Sequence, residues 1–478
     1  MPNLSEDLSK FNRSFTVTGV ALKYFVFYNI NSQRHFSLGE RLRFACERLG
    51  PVFIKLGQIL ATRYDLLEKS DCESLQKLLD DVAPVSYDKI QALFISDFNK
   101  TPEKLYQYFN KTPIASASMA QVYRAKNKNG QDVAVKVRRP GITKTIKSDI
   151  DVLKKLITIA EIFSADLRHI KANKVLSELE SWLFQESDFK QEVKNINKLT
   201  EFYSKRASDG DEFSAAIVFP KVYSNLCSEN IITMEYLDGI PANKFNSIVT
   251  GPEYDALTSL TAVLGSSVRA WFEHEPIFFH ADPHPANILI LKNGRVALLD
   301  FGLIGLFGKR DVEETCNLLL AVYSKNLDLT IKHALRLCHA PDDFDTPKLR
   351  KDFSNYLEKT RSSGMGYWFM GCITIFIKHR VPLPYQLILF GRGNAIMDGL
   401  FETTVPGKTT LEVMGKELQR GIYKQIFYNV TSTDLGPIIY TLSEKLKDSP
   451  VEVAQTIEKY FDHPLDFVRD VKEAILAK

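Results

Sequence analysis

The 478-residue chain lacks the features that mark several classes of protein. Its six cysteines include no CxxC pair and match no zinc or disulfide template, so we expect six reduced thiols. It also lacks an excess of charge, because 61 Lys and Arg balance 58 Asp and Glu. This balance gives no overall basic footprint for nucleic acid. With 45% hydrophobic and 25% charged residues, the composition excludes disordered and collagen-like classes.

Long apolar runs are missing as well. The most apolar stretch covers residues 366–377 and ends at a basic cluster, whereas a transmembrane helix needs about 20 residues. We therefore predict a buried core helix there. The N-terminus resembles neither a secretory signal nor an Arg-rich transit peptide. The expectation is a cytoplasmic protein, with peripheral contact to the inner face of a membrane left open.

The periodicity of the sequence predicts an α+β fold with more than one subdomain. A chain of this length exceeds a single ordinary core. Helical spacing precedes residue 113, and amphipathic helices are predicted over 145–207 and after Asp311. Alternating residues predict a hairpin about the Asn-Lys-Asn-Gly turn. The predicted strands cover residues 120–125, 132–137, 216–219, 231–235, 288–291 and 296–299.

The clearest motif is His-Ala-Asp-Pro-His-Pro-Ala-Asn at 280–287, followed by a predicted hairpin that ends in Asp-Phe-Gly at 300–302. Phosphoryl transfer needs an acceptor that orients the nucleophile and oxygen ligands that hold Mg²⁺ on the phosphates. The spacing is that of the catalytic loop and D-F-G motif of protein kinases, with alanine in place of arginine. It predicts Asp282 as a catalytic residue and Asn287 and Asp300 as ligands of Mg²⁺, or of Mn²⁺.

Two other interpretations of this segment remain. It could be a polar loop beside an ordinary strand. His280 and His284 also have the i, i+4 spacing of a zinc site on a helix. Pro283 and Pro285 disfavour a regular helix across that interval, so we expect loop histidines.

A second motif lies on the predicted hairpin, where Val-Ala-Val-Lys-Val at 133–137 places Lys136 on a strand. Kinases carry there the lysine that contacts the α and β phosphates, although a lone hairpin lysine is usually solvated. Residues 115–120 read Ala-Ser-Ala-Ser-Met-Ala where kinases have a glycine-rich loop. Because alanine disfavours positive φ, we expect a stiffer loop with a different approach to phosphate.

These segments resemble the UbiB family of atypical kinases, which supports the biosynthesis of ubiquinone and related quinone lipids. Lys55, Gly57 and Gln58 match its K-x-G-Q motif, in a helical extension that ordinary kinases lack. Glu186 and Asp188 match its E-x-D motif. Both sets could also be solvated helix faces. Gly57 costs about 1 kcal/mol in a helix relative to alanine, which suggests the close approach of another backbone.

The resemblance also implies roles for individual residues. Glu192 falls where the family's helix glutamate pairs with the strand lysine, here Lys136. Both would organise the phosphates and Asp282 would orient the attacking group, while the K-x-G-Q and E-x-D residues would close the site. The implied nucleotide-binding residues are Ala115, Ser116, Ala117, Ser118, Ala120, Val122, Ala134, Lys136, Glu235 and Leu237.

At the level of the whole chain, the resemblance implies a two-lobed, α+β protein-kinase-like fold with ATP and Mg²⁺ between the lobes. The expected parts are a helical extension (1–112), an N-lobe (113–237), a C-lobe (238–420) and a helical tail (421–478). No A-P-E triplet follows Gly302, so water or a lipid-like quinone precursor is favoured over a protein as acceptor. The expected partners are that precursor or quinone-biosynthesis enzymes, and no nucleic acid.

Three alternatives stay open. A protein kinase would phosphorylate a partner protein. A nucleotide-binding scaffold would bind Mg-ATP without turnover. A lipid-binding module would bind membranes and no nucleotide.

Overall fold

The fold is described from a computed structural model of the chain. It covers residues 4–26, 36–61, 67–75, 77–78, 82–163, 172–247, 251–273, 275–323, 327–340, 347–359, 365–379, 381 and 383–431. The chain divides into two compact units. Unit 1 comprises Met1–Glu201, Phe219–Asp238 and Leu299–Leu303, and unit 2 comprises Phe202–Val218, Gly239–Leu298 and Ile304–Lys478. Most of the tail predicted over 421–478 lies outside the described residues.

Unit 1 begins with short helices. They are α1 (Leu4–Ala21, with a π-helical turn at Leu22–Val26), α2 (Leu38–Leu49), α3 (Pro51–Leu60), α4 (Lys69–Leu75), α5 (Tyr87–Phe98) and α6 (Pro102–Leu105). A capping box between Ser37 and Glu40 starts α2. Gly50, with φ of 93°, separates α2 from α3, and Pro51 starts α3 where its missing N–H costs nothing. The break between these helices therefore follows from local sequence.

The sheet of unit 1 contains the predicted hairpin. Its strands are β1 (Tyr108–Phe109), β2 (Ala115–Ser116), β3 (Ala120–Lys126), β4 (Asp132–Arg138) and β6 (Ile231–Glu235). The order is β1-β3-β4-β6, with β2 also paired to β3. Strand side chains alternate between faces, so Val133, Val135 and Val137 are fully buried in one core with Phe94 and Tyr123. Ala134 and Lys136 therefore face the opposite side of the sheet.

Three long helices complete unit 1. They are α7 (Ile142–Phe163), α8 (Ala172–Glu186) and α9 (Phe189–Ser208), the last of which ends in the residues assigned to unit 2. The helices α7 and α8 share a core with α1, α2 and α3, which includes Val17, Phe53, Ile146 and Leu183. A half-buried ion pair between Arg13 and Asp149, 2.7 Å long, also joins α1 to α7.

Unit 2 contains two small sheets around one long helix. Its first elements are α10 (Glu212–Ala216), β5 (Ile217–Val218), β7 (Ile240–Pro241), α11 (Ala256–Trp271), β8 (Ile277–His280), β9 (Ile288–Ile290), β10 (Val296–Leu298) and β11 (Ile304–Phe307). One sheet has the order β5-β10-β9-β7, and β8 pairs with β11. The predicted strands at 216–219, 288–291 and 296–299 are present but shorter. The sequence analysis missed β1, β2, β7, β8 and β11, which have two to four residues each and too little alternation to detect.

The rest of unit 2 is helical, as predicted. It contains α12 (Lys309–Tyr323), α13 (Leu327–Leu337), α14 (Pro347–Lys359), α15 (Met365–Lys378), α16 (Tyr385–Thr404) and α17 (Thr410–Thr431). The apolar run at 366–377 forms α15, whose Phe369, Ile373 and Phe376 are buried as expected for a core helix. None of the helices in the described ranges is long and apolar enough to cross a membrane.

Candidate functional site

The centre of the candidate site in unit 1 is an ion pair between β4 and α9. Lys136 Nζ lies 2.6 Å from Glu192 Oε1 and 5.5 Å from the centre of the Phe189 ring. Lys136 is on the face of β4 that points away from the valine core, and both residues are buried. The structure therefore brings together the lysine and the glutamate that the resemblance pairs, while their catalytic role stays a prediction.

Asp300 joins this pair within unit 1. Its Oδ1 lies 3.5 Å from Lys136 Nζ and accepts a hydrogen bond of 3.1 Å from the backbone N–H of Gly302. Asp300 has φ of 57°, in the left-handed region that aspartate tolerates better than most residues. The following residue is held in place, since Phe301 N donates to Glu192 Oε1 and Phe301 O accepts from Asn195 Nδ2. Glu192 thus positions both Lys136 and the Asp-Phe-Gly segment.

The charges in this cluster stabilise one another. Burial alone would lower the pKa of Lys136, but the carboxylates of Asp300 and Glu192 outweigh it and raise that pKa above its ordinary value. Burial also raises the pKa of Glu192, against the opposing effect of the Lys136 ammonium. Lys136 therefore remains a cation at neutral pH and can hold an anionic group such as a phosphate.

The alanine-rich loop lies at the edge of the same sheet. None of residues 115–120 has a positive φ, so alanine can form this loop without the conformational freedom that glycine provides. Ala117 N donates to Ala120 O over 2.8 Å, which closes a tight turn. Ser118 and Ala120 are buried, whereas Ala115 is exposed. The geometry agrees with the expectation of a stiff loop.

Arg139 holds this loop, and the sequence analysis missed it. Its guanidinium donates to Ala117 O over 2.7 Å, to Ser116 Oγ over 2.9 Å, and to the carbonyls of Val82 and Ala83. The Arg139 side chain is buried, with 8% of its surface exposed. One arginine therefore ties the loop to the segment that precedes α5.

Of the remaining predicted nucleotide-binding residues, Val122 and Ala134 lie on the same face of the sheet as Lys136. Val122 lies opposite Lys136 in the β3–β4 register, and Ala134 lies opposite Met234 of β6. Glu235 is exposed at the end of β6, and its backbone N–H donates to Lys221 O. Leu237 follows and is half-buried. Small or apolar side chains beside a buried lysine suit a nucleotide base and its phosphates.

The K-x-G-Q and E-x-D residues are only partly brought together. Lys55 on α3 forms an ion pair with Glu186 at the end of α8, and both are largely buried. A Cβ on Gly302 would lie 3.3 Å from Glu186 Cγ, so Glu186 packs against the Asp-Phe-Gly segment. Asp188 instead is exposed and accepts a hydrogen bond from Gln191 N in the first turn of α9. For Asp188 the simpler interpretation, a solvated position, fits this geometry.

Two other K-x-G-Q residues face the interior of the helical extension. Gln58 Nε2 donates weakly to Leu78 O over 3.4 Å. A Cβ on Gly57 would overlap the side chains of Leu78 and Cys46. The expectation that Gly57 admits another backbone is wrong, because the close neighbours are side chains.

Unit 2 carries the predicted catalytic loop. Asp282 follows β8, and Asn287 ends a short 3₁₀ turn at Pro285–Asn287 that leads into β9. Asn287 N donates to His284 O over 2.7 Å, which fixes the turn. Asp282 Oδ1 accepts a hydrogen bond of 3.1 Å from Arg392 Nη2 of α16. Arg392 is a second residue that the sequence analysis missed, because 110 residues separate it from Asp282.

The zinc interpretation of the loop histidines finds no support. Asp282 N donates to His280 Nδ1 and Ala286 N donates to His284 Nδ1, so each ring stabilises its own loop. Over the ranges described above, no group of three or more His, Cys, Asp and Glu side chains could hold a metal ion.

The residues predicted as metal ligands are of the types that suit Mg²⁺. Asp300 of unit 1 offers carboxylate oxygens and Asn287 of unit 2 offers an amide oxygen, and both are ligand types that this hard cation prefers. Within unit 1, Glu192 Oε2 is buried and makes no hydrogen bond within the described part of the chain. Such an atom is suited to accept a hydrogen bond from a bound group.

Comparisons with known proteins agree with the geometry. Residues 77–334, more than half of the chain, match the model of the ABC1 atypical kinase-like domain. A protein of Clostridium pasteurianum, described as an uncharacterized protein in the hydrogenase 1 5′ region, is 30% identical over 380 residues, or 78% of this chain and 69% of the relative. The "Probable protein kinase UbiB" of Haemophilus ducreyi is 28% identical over 459 residues, or 93% and 83%. A Mycobacterium tuberculosis protein solved with erythromycin has a TM-score of 0.47 and 21% identity, over 74% of this chain and 90% of that chain.

The fold and the charged cluster define an atypical kinase-like protein of the α+β class, so the predicted fold class is confirmed. Within that class, the chain belongs to the UbiB family, since the ABC1 domain model matches more than half of the chain and the UbiB-named relative aligns with 93% of it.

Proposed function

We propose that the chain is an atypical kinase-like ATPase that binds Mg-ATP and supports the biosynthesis of quinone lipids. The observation that carries the proposal is the cluster of Lys136, Glu192 and Asp300 in a chain of the UbiB family. The proposed link to ubiquinone-type lipids rests on the family resemblance. The proposed binding of a nucleotide rests on the chemistry of the cluster. The predicted domain boundaries at 112/113, 237/238 and 420/421 are also part of this proposal.

The proposed roles follow from what each group can do. Lys136 binds the α and β phosphates, and Glu192 holds the Lys136 ammonium in place. The residues proposed to surround the nucleotide are Ala115, Ser116, Ala117, Ser118, Ala120, Val122, Ala134, Glu235 and Leu237. Bound Mg²⁺, held by Asp300 and Asn287, would neutralise charge on the phosphates.

Asp282 is proposed to orient the acceptor and to take its proton. The acceptor oxygen forms a bond to the γ phosphorus while the bond to the β–γ bridging oxygen breaks, and ADP leaves. With water as acceptor, the products are ADP and phosphate. The proton that Asp282 takes is then released to solvent.

A non-protein acceptor is favoured by the chain that follows the Asp-Phe-Gly segment. Only β11 lies between the Asp-Phe-Gly segment and α12, which begins at Lys309. Because β11 is paired along its whole length with β8, this stretch offers no long segment on which a peptide could dock. Water or a phenolic, lipid-like quinone precursor is the proposed acceptor.

The test measures phosphate release from ATP by the full chain, with and without Mg²⁺, liposomes and phenolic quinone precursors. We expect Asp300→Asn to lower turnover about 1,000-fold, the size of effect that loss of one transition-state stabiliser has in other enzymes. Asp132→Asn is the matched control, since Asp132 is a half-exposed aspartate at the start of β4 that pairs with Arg124 and Lys126. Equal rates for wild type and Asp300→Asn would exclude the proposed phosphoryl transfer.

The same protein separates the alternatives. Radioactive ATP that labels a partner protein in trans, and not with Asp282→Asn, would identify a protein kinase. Thermal stabilisation by Mg-ATP without phosphate release would identify a scaffold. Binding to liposomes without any effect of ATP would identify a lipid-binding module.

A further inference from the structure

An arginine from a late helix contacts the predicted catalytic loop of unit 2. Arg392 Nη2 of α16 donates to Asp282 Oδ1 over 3.1 Å. Both side chains are mostly buried, with 17% and 18% of their surfaces exposed. A charged hydrogen bond at this depth is less screened by solvent than a surface pair. The contact therefore restrains the orientation of the Asp282 carboxylate.

The helix that carries Arg392 is firmly anchored beside this loop. Phe390 packs its ring against those of Trp271, Phe279, Phe307 and Phe369, with centroids 4.9–5.5 Å apart. Two of these rings come from β8 and β11, the strands that flank the loop and the segment after it. The aromatic cluster thus fixes the position of residue 392 relative to Asp282.

The helix also packs against the loop at the next position. A Cβ on Gly393 would lie in ordinary van der Waals contact with the loop, 3.4 Å from Pro283 Cδ and 3.5 Å from His280 O. The backbone of α16 at this position therefore lies directly beside residues 280–283. This packing is independent of the ion pair and places the base of the Arg392 side chain at the loop.

The loop itself carries no arginine at the position where protein kinases have one. The kinase motif reads H-R-D, whereas this chain has Ala281, which is completely buried. We propose that Arg392 is a positioning residue, which holds the Asp282 carboxylate ready for the acceptor and supplies from α16 the cation that the loop lacks. This inference rests on the proposed phosphoryl transfer and assigns it one further residue.

The inference makes a specific kinetic prediction. If Arg392 acts through Asp282, its loss should impair the chemical step and leave nucleotide binding intact. Misplacing a reacting group by about 1 Å can cost about 100-fold in rate. We expect Arg392→Gln to lower kcat for Mg-ATP turnover about 30- to 100-fold, with KM for ATP changed less than about threefold.

Two further variants separate positioning from folding. Arg392→Lys retains the charge without the planar, forked guanidinium, so it should recover part of the lost kcat. Arg350→Gln is the control, because Arg350 is a half-exposed arginine of unit 2 that pairs with Asp328. Its kcat should equal that of wild type. Thermal unfolding of every variant reports whether the fold is intact.

The last measurement asks whether the two residues act as one unit. In an Asp282→Asn background, measured by residual turnover of radioactive ATP, Arg392→Gln should cause almost no further loss. Independent, multiplicative losses would overturn the inference. So would wild-type kcat for folded Arg392→Gln, or equal losses of kcat and stability with no recovery in Arg392→Lys. If instead wild type and Asp300→Asn turn over ATP equally, the proposed function fails first and the inference with it.

Discussion

The two units each contain a cluster of buried charges, and the clusters differ in one respect. In unit 2, Arg206 binds Asp211 over 2.8 Å, and Arg269 binds Asp211 over 3.2 Å and Glu417 over 3.0 Å. Arg206 also pairs with Glu273 and donates to Ser214 Oγ. These contacts join α9, α10, α11 and α17. Each arginine donates hydrogen bonds from several of its guanidinium N–H groups, so the cluster serves to hold helices together.

The cluster of unit 1 is built on a single lysine. The ammonium of Lys136 lies near the two carboxylates of Glu192 and Asp300. Asp300 is 41% exposed while Glu192 is 2% exposed. A carboxylate that reaches solvent beside a buried cation is suited to meet a ligand. The clusters therefore differ in how their cations are used, because each arginine of unit 2, the structural cluster, donates to several acceptors on different segments, whereas Lys136 of unit 1, the binding cluster, is a point charge beside an accessible carboxylate.

The largest expected effect tests the structural cluster. Arg206→Gln removes the buried cation that Asp211 and Glu273 share and leaves Asp211 only its longer contact with Arg269. Breaking a buried ion pair costs about 3–5 kcal/mol. Chemical denaturation should show this loss in the free energy of unfolding. ATP turnover below the unfolding transition should stay near wild type. A stable Arg206→Gln protein without activity would show that the cluster of unit 2 serves activity and not stability.

The next effect tests the binding cluster. Lys136→Met keeps the length of the side chain and removes the ammonium that holds the phosphates. We expect turnover to fall about 100-fold, as for loss of one charge-stabilising donor. Stability should fall as well, because Glu192 is then buried without its cation, but by less than in Arg206→Gln, because burial raises the pKa of Glu192 and lets it take up a proton once Lys136 is gone. Steady-state kinetics and thermal unfolding on one preparation check this. Loss of stability without loss of turnover would mark this cluster as structural too.

A smaller effect concerns the loop beside the binding cluster. Arg139→Lys cannot make the forked contacts to Ala117, Ser116 and residues 82–83. A looser loop should weaken nucleotide binding about tenfold, equivalent to about 1.4 kcal/mol. Calorimetric titration with Mg-ATP measures it. Unchanged affinity would show that the loop does not need this restraint.

The smallest effect comes from an ion pair that belongs to neither cluster. Lys154 and Glu180 join α7 to α8 over 2.6 Å, with 35% and 21% exposed. Such partly exposed pairs contribute about 0.2–1 kcal/mol, so Lys154→Gln should change stability by about 0.5 kcal/mol at most. Denaturation in low and high salt checks this. A loss of stability as large as that of Arg206→Gln would show that burial does not determine how much these ion pairs stabilise the protein.

Much of the binding cluster could be predicted from sequence because its parts are local. The alternation of residues 132–137 places Lys136 opposite the valine core, and the spacing of 282, 287 and 300 belongs to a known chemistry. The long amphipathic helices and the apolar core helix at 366–377 were predicted for the same reason. The short strands were not, since two to four residues carry almost no periodicity.

Other assignments required the folded chain. Glu186, Asp188 and Glu192 are close in sequence and equally acidic, yet the first pairs with Lys55, the second is exposed and the third pairs with Lys136. The break between α8 and α9, together with the helical phase of α9, makes the three acidic side chains point in different directions. Spacing alone does not determine that phase.

The sequence by itself determined the absence of a metal-type cysteine pattern, the kinase-like motifs, the hairpin and the positions of the long helices. Each depends on residue type and local spacing, which the chain carries before it folds. Only the tertiary structure decided which glutamate meets Lys136, that Arg139 holds the alanine-rich loop, and that Arg392 reaches Asp282 from 110 residues away. Contacts between distant segments depend on how helices and strands pack, and packing is a property of the whole core.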